Sequence, residues 1–137
     1  MLPDGTQDQL VPAVRQGLDG SVTDVLSSLL FRAGAAALQP AAIPQLRQLL
    51  RLLTVAYPQA VATIDGYTDD LPVPGGNLTL SRLRARTVQA WLVANGVSAS
   101  RLQSIGFGDA DPVAPNTPQG QPLNRRVVVV IDPVARS

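Results

Sequence analysis

The sequence predicts an α/β domain: a mixed sheet with helices packed on one of its faces. Three observations carry that expectation. Two segments, Pro40 to Tyr57 and about Leu78 to Ala94, repeat apolar residues at helical spacing. The run Val127 to Ile131 has the unbroken apolar character of a central strand buried on both sides. Strand-like and helix-like segments alternate between them, the order that a layer of helices on a sheet requires. At 137 residues the chain is long enough for one domain with a sizeable core.

Taken in order, residues 1–24 read as an extension or linker, residues 25–132 as the domain and 133–137 as a tail. In the first stretch Leu10, Val11, Val14 and Leu18 would line one face of a short helix, with Pro12 near its start; a linker docked on the domain fits equally well. SVTDVLSSLLF, 21–31, matches neither strict alternation nor a helix face. In the first clear helix Ile43, Leu46, Leu50 and Leu53 recur at three- and four-residue intervals, Pro44 falls in the first turn, and Pro58 lies beyond the end.

QAVATIDG then reads as a strand, with Val61, Thr63 and Asp65 on one face and Ala62 and Ile64 on the other. The second helix carries Leu80, Leu83, Val88, Trp91 and Leu92 on its apolar side, takes Asn77 or Thr79 as its cap, and stops at Asn95-Gly96. RLQSIGF, 101–107, predicts another strand. GDADPVAPNTPQGQPL after it is a polar loop with four prolines.

Composition removes several function classes. There is no cysteine and no histidine, so disulfides, thiolate chemistry, Cys/His zinc sites and the commonest general base are all absent. Net charge is +1, from eleven basic residues, all arginine, against ten acids, all aspartate. With no basic stripe and only 4% aromatic residues, nothing points to nucleic acid. No apolar run is long enough for a membrane helix. MLPDGTQDQL lacks the basic and apolar regions of a signal peptide, so a protein working outside the cytoplasm would be represented here by a mature fragment or an excised domain.

The chain is organised around the stretch from Ile64 to Leu92: a strand end, an acidic turn, a Pro/Gly loop and the second helix. Arg84 lies four residues after Leu80 and four before Val88, so it projects from the apolar side of that helix, whereas Arg82 and Arg86 fall on its solvated flanks. A buried arginine needs an anion close by, because an unpaired buried charge is too costly. Asp69 and Asp70 are the nearest acids in sequence. Either Arg84 and aspartate form a structural pair, or they share a small pocket open to a polar ligand.

Catalytic alternatives fare worse. Adjacent carboxylates in a turn do not flank a scissile bond, so Asp69 and Asp70 make a poor acid–base pair. Ser81 has no histidine or lysine to activate it. Asp65, Asp69 and Asp70 do not follow the spacing of a calcium loop. GFGD leads into no helix and so cradles no phosphate. No enzyme, cofactor or metal is expected. Recognition remains, with Asp69 as the anion and Arg84 plus Arg125 or Arg126 as cations, a set that suits a zwitterion.

At these residues the chain resembles the OmpA-like peptidoglycan-binding domain family, that of the C-terminal domains of OmpA, Pal and MotB. LLFRAGAAALQPAA (29–42) resembles its first strand and turn, GYTDD (66–70) its acidic turn, and NLTLSRLRA (77–85) its helix motif. GFGDADPVAPN (106–116) and LNRRVVVVI (123–131) resemble its closing loop and last strand. The resemblance implies a βαβαββ fold and noncovalent binding of the diaminopimelate part of the peptidoglycan stem peptide, anchoring a cell-envelope protein to the wall. It places Thr68, Asp69, Asn77, Arg84, Asn124 and Arg125 at the ligand.

It further implies a periplasmic or other extracytoplasmic setting, membrane attachment only through parts outside this chain, and a homodimer in the stator branch. The competing expectation is an envelope assembly or protein-interaction domain that keeps the fold without binding peptidoglycan. Tyr67 stands where the family usually has histidine, and its side chain is expected to point into the core. The irregular 22–30 segment and the compact LPVPGG loop also depart from the pattern and bear on the mouth of the pocket.

Overall fold

The structure, a computed structural model, describes residues 13–16, 20–26, 31–32, 35–69, 75–110 and 125–133. Its elements are β1 (Ala13–Gln16), β2 (Val22–Leu26), α1 (Ile43–Arg51), β3 (Val61–Tyr67), α2 (Asn77–Ala94), β4 (Leu102–Gly106) and β5 (Arg126–Asp132). They build one five-stranded sheet in the order β1-β2-β5-β3-β4. Only β3 and β4 pair in parallel; β1–β2, β2–β5 and β5–β3 are antiparallel. From β2 onward the order is βαβαββ, as the resemblance implies.

The last strand enters the middle of the sheet, between β2 and β3, so its main chain is hydrogen-bonded on both edges. Its side chains obey the period of two. Val127, Val129 and Ile131 are fully buried toward the helices, while Val128 and Val130 on the opposite face are only half-buried. The run is therefore central, but it is covered completely on one face only.

Leu46, Leu49 and Leu53 from α1 and the turn after it join Ala85, Val88 and Leu92 of α2 over Val22, Leu26, Ala62, Ile64 and the three inward residues of β5. Each fully buried leucine contributes about 2 kcal/mol from area removed from water. Leu83, expected on the apolar side of α2, is 45% exposed: Arg84 and Ser81 take the inward positions beside it. In β2 the alternation is regular after all, because Val22, Asp24 and Leu26 share the buried face. An aspartate at a core position is what hid the strand.

Two other expectations change. Ala13–Gln16 is a strand paired with β2, not part of a helix face. The cap of α2 is Gly76, with no side-chain hydrogen bond from Asn77 or Thr79, since Asn77 is already the first helical residue. The far end of α2 follows its signal. Gly96, at φ +107°, lets Val97 N–H reach Leu92 O at 3.0 Å and its own N–H reach Val93 O at 3.1 Å, the paired bonds of a glycine-terminated helix.

Gly66 and Gly106 face each other across β3 and β4 under the start of α2. A Cβ on Gly66 would run into the Ser81 carbonyl, and one on Gly106 into Arg82 and the Ser81 hydroxyl. This glycine pair lets the first turns of α2 lie directly on the sheet, next to the end of β3 where the candidate residues cluster.

Candidate functional site

The candidate residues gather where β3 ends, β5 begins and α2 starts. Thr68, just past β3, donates its N–H to Gly108 O at 2.7 Å and its hydroxyl to Asp69 O at 2.9 Å. Gly108 is in turn tied to α2: its N–H reaches Ser81 Oγ at 2.8 Å, and the Ser81 hydroxyl donates to Leu78 O at 2.8 Å. The turn carrying Asp69 is thus fastened through one glycine to the helix carrying Arg84. Thr68 and Asp69 are both buried, 3% and 5% exposed.

Arg84 is 2% exposed. Its Nε–H donates to Ala35 O at 2.8 Å and one Nη2–H to Arg32 O at 3.0 Å, while its Cζ lies 5.2 Å from the centre of the Phe31 ring. Both bonds use the side of the guanidinium. A guanidinium carries five N–H donors; the end-on pair, Nη1–H with the second Nη2–H, meets no acceptor among the described residues. Burial pulls the Arg84 pKa down to about 10, with the Arg125 charge adding to the shift and Asp69 opposing it. It remains a cation at neutral pH.

Asp69 forms its ion pair with Arg125, Nη1 to Oδ2 at 3.3 Å, and not with Arg84. Among the described residues Arg84 therefore forms no direct pair with an aspartate; it is held by carbonyls, with Asp69 in electrostatic range. Asn77 completes the described group, at the first position of α2, with its Oδ1 buried and without a hydrogen-bond partner among the described residues. Asp70 and Asn124, together with residues 71–74 and 111–123, lie outside the described residues. Thr68, Asp69, Asn77, Arg84 and Arg125 are thus brought to one end of the sheet, with two guanidiniums against one carboxylate.

The structure separates the other candidates. Arg126 points away from this group and lies over the Tyr67 ring, Cζ to centroid 4.0 Å. Tyr67 stacks on Phe107 with centroids 5.1 Å apart. All three belong to the sheet face opposite the helices, because Tyr67 pairs with Arg126 and is out of phase with the inward Ala62, Ile64 and Gly66. The expectation that Tyr67 points into the helix-covered core is thus corrected by strand parity. Asp65 lies on that same outer face, where burial raises its pKa, and does not join Asp69. No group of acids among the described residues is placed to hold a metal ion.

Sequence reasoning missed the backbone half of the site. The carbonyls of Arg32 and Ala35 hold Arg84, and Ala36 O accepts from Thr87 Oγ1 at 2.9 Å. The available signal was the run of small residues after Phe31, which allows main chain to approach a helix closely, together with a threonine one turn from Arg84. A cleft of about 480 Å³ lies at the other end of the sheet, lined by Val61, Thr63, Arg101, Gln103, Val130 and Asp132 among others. It contains none of the candidate residues.

Comparison with known proteins bears on this arrangement. The peptidoglycan-binding protein ArfA of Mycobacterium tuberculosis (strain ATCC 25618 / H37Rv) is 44% identical over 78 residues, covering 56% of this chain and 24% of ArfA. The Escherichia coli (strain K12) protein named Probable lipoprotein YiaD is 34% identical over 125 residues, covering 90% of this chain and 56% of YiaD. The chain thus spans about a quarter of the first and just over half of the second.

Among solved structures, the cell wall anchor of the T6SS from Pseudomonas aeruginosa superposes with a TM-score of 0.82 at 26% identity, covering 95% of this chain and 92% of that one. The peptidoglycan-associated lipoprotein from Burkholderia pseudomallei gives 0.69 at 26% identity, covering 79% and 89%. The sequence profile of the OmpA family matches residues 30–125, a stretch that takes in Arg84 and Arg125. The chain belongs to the OmpA family.

Proposed function

We propose that this domain binds peptidoglycan noncovalently, through the diaminopimelate part of the stem peptide, and anchors a cell-envelope protein to the wall from the periplasmic side. One observation carries the reading: a buried carboxylate, Asp69, stands near a buried guanidinium, Arg84, whose end-on donors have no acceptor among the described residues. The free end of diaminopimelate carries an ammonium and a carboxylate on one carbon. The ammonium complements Asp69, and the carboxylate complements the paired end-on donors of Arg84, a bidentate geometry. Asn77 Oδ1, buried and without a partner among the described residues, supplies a further acceptor for the ammonium. The names of ArfA and of the two wall-associated structures agree with this reading.

The Asp69–Arg125 ion pair favours a second reading, in which the charges form a structural network within an assembly domain. Sedimentation with purified sacculi separates the two. Asp69→Ala should abolish binding while circular dichroism shows a folded domain, because losing one partner of a desolvated charge pair costs about 2–5 kcal/mol. Calorimetric titration with soluble stem peptides differing only in diaminopimelate versus lysine tests the ligand. Lysine lacks the terminal carboxylate, so its affinity should fall roughly tenfold to a hundredfold. Undiminished sacculus binding by Asp69→Ala would overturn the reading; equal affinities for the two peptides would remove diaminopimelate from it.

A further inference from the structure

The side of the Arg84 guanidinium grips main-chain carbonyls, so the direction of its end-on donors is set by wherever those carbonyls are. Arg32 O is doubly engaged, accepting Ala35 N–H at 3.0 Å as well as Arg84 Nη2 at 3.0 Å. The bridge between Phe31 and Leu38 closes the base of the same segment, and Phe31 lies against the guanidinium. Away from that base, the described tie to the helix is Thr87. Its Oγ1 is 2.9 Å from Ala36 O and also 2.9 Å from Leu83 O, one turn back along α2. A hydroxyl has one proton, so at any moment it either holds the segment or bonds within its own helix.

Thr87 lies one helical turn beyond Arg84 on the same side of α2, as Ser81 lies one turn before it. Ser81 fastens the Gly108–Thr68 wall, and Thr87 holds the Ala36 carbonyl. We propose that Thr87 is a positioning residue for Arg84: its bond to Ala36 O keeps the carbonyls of Arg32 and Ala35 where they hold the guanidinium, and so aims the end-on donors. What those donors then read, a ligand carboxylate, rests on the proposed peptidoglycan function. The aiming itself does not.

The test uses three variants and two readouts. Thr87→Val keeps the shape and deletes the hydroxyl, Thr87→Ser keeps the hydroxyl, and Thr87→Ala serves if valine is not accommodated. The first readout is solvent exchange of the Arg84 Nε–H proton by nuclear magnetic resonance, without ligand. Removing the hydroxyl should speed that exchange by about tenfold, since a lost hydrogen bond frees the local opening of what it held, and Thr87→Ser should restore it. The second is titration with the soluble diaminopimelate stem peptide, where Thr87→Val should bind about three- to tenfold more weakly and Thr87→Ser like the parent.

Unchanged Arg84 exchange in the hydroxyl-free variants overturns the proposal, whatever happens to their melting temperature. So does accelerated exchange that serine fails to rescue. If the parent domain binds no stem peptide while exchange responds as expected, the peptidoglycan reading falls and the positioning role of Thr87 stands.

Discussion

Arg84 and Arg101 occupy two regions of the molecule that look alike in their local chemistry. Each uses Nε and Nη2 to hold main-chain carbonyls: Arg84 those of Ala35 and Arg32, Arg101 those of Ala60 at 2.6 Å, Leu53 at 2.9 Å and Tyr57 at 3.1 Å. They differ in what surrounds the rest of the guanidinium. Arg101 is half-buried and lines the cleft of about 480 Å³, so water reaches its remaining donors. Arg84 is 2% exposed and has a carboxylate in range without a direct bond to it. A charge completed by solvent is a staple. A charge cut off from solvent and only partly completed by protein is set up to take an anion, because desolvation without full pairing is what a bound group relieves. Concavity alone points elsewhere: the cleft of about 480 Å³ lies at the staple end.

Asp24 is where that distinction is put under most strain. It is fully buried in β2, opposite Val129, and neither carboxylate oxygen has a hydrogen-bond partner among the described residues. Burial raises its pKa from 3.8 to about 7. Between pH 4 and 7 the folded state keeps the proton and the unfolded state has lost it, so stability falls as pH rises through this window and levels off above it. The loss should approach about 4 kcal/mol, since each tenfold change in proton affinity is worth about 1.4 kcal/mol. Asp24→Asn, neutral at every pH, should flatten the profile and be the more stable protein at pH 8. Urea melts from pH 4.5 to 8 read this directly, and a parent whose stability rises across that range would show that Asp24 has found a counter-charge.

The next effect sharpens the contrast between the two arginines. Arg101→Ala removes one donor from each of three carbonyls, of which Tyr57 O keeps the Ala60 N–H, and should cost about 3 kcal/mol of stability, since unmet acceptors and charge-assisted bonds are each worth about 1–3 kcal/mol. Sacculus binding by the folded fraction should be unaffected. Arg84→Ala should also cost stability, about 1–3 kcal/mol, because Ala35 O loses the Arg84 Nε–H while Arg32 O keeps the Ala35 N–H, and it should abolish binding as well. Urea melts and sacculus sedimentation under conditions where both variants stay folded check this. Loss of binding in Arg101→Ala under such conditions would erase the distinction.

The fold was largely legible because its signals are local and additive. The leucine spacing of α1, the glycine stop of α2 and the valine run of β5 each announce an element without reference to the rest. β2 was hidden by Asp24, a residue whose chemistry contradicts its position, and β1 by a four-residue length that periodicity cannot resolve. Within the candidate site, the burial of Arg84 could be read from its place between Leu80 and Val88. Its carbonyl partners could not, because Arg32 and Ala35 lie about fifty residues earlier and their side chains take no part in these bonds. Nor could the choice of Arg125 over Arg84 as the partner of Asp69, which depends on how three separate elements meet at one end of the sheet.

The smallest expected effect concerns neighbours in sequence that part company in space. Arg125 precedes β5 and pairs with Asp69, whereas Arg126 begins the strand and lies over Tyr67 on the outer face. The Arg125 side chain is 22% exposed but that of Asp69 only 6%, so Arg125→Ala, which takes a cation from a buried carboxylate, should cost about 1–3 kcal/mol of stability. It should also weaken sacculus binding, because that cation orients Asp69. Arg126 is 9% exposed, and its cation–π contact with a ring already stacked on Phe107 should be worth about 1 kcal/mol. Arg126→Ala should therefore lower the melting temperature by a few degrees, since 1 kcal/mol shifts a domain of this size by roughly 2–8 °C, and leave binding as it was. Tyr67→Leu should cost more, because it also removes the stack on Phe107, and the double variant should cost less than the sum of the two single ones, because both delete the Arg126–Tyr67 contact. Full additivity would mean that the stack transmits nothing from Tyr67 to Arg126, and that the outer face is held by contacts made independently on each strand.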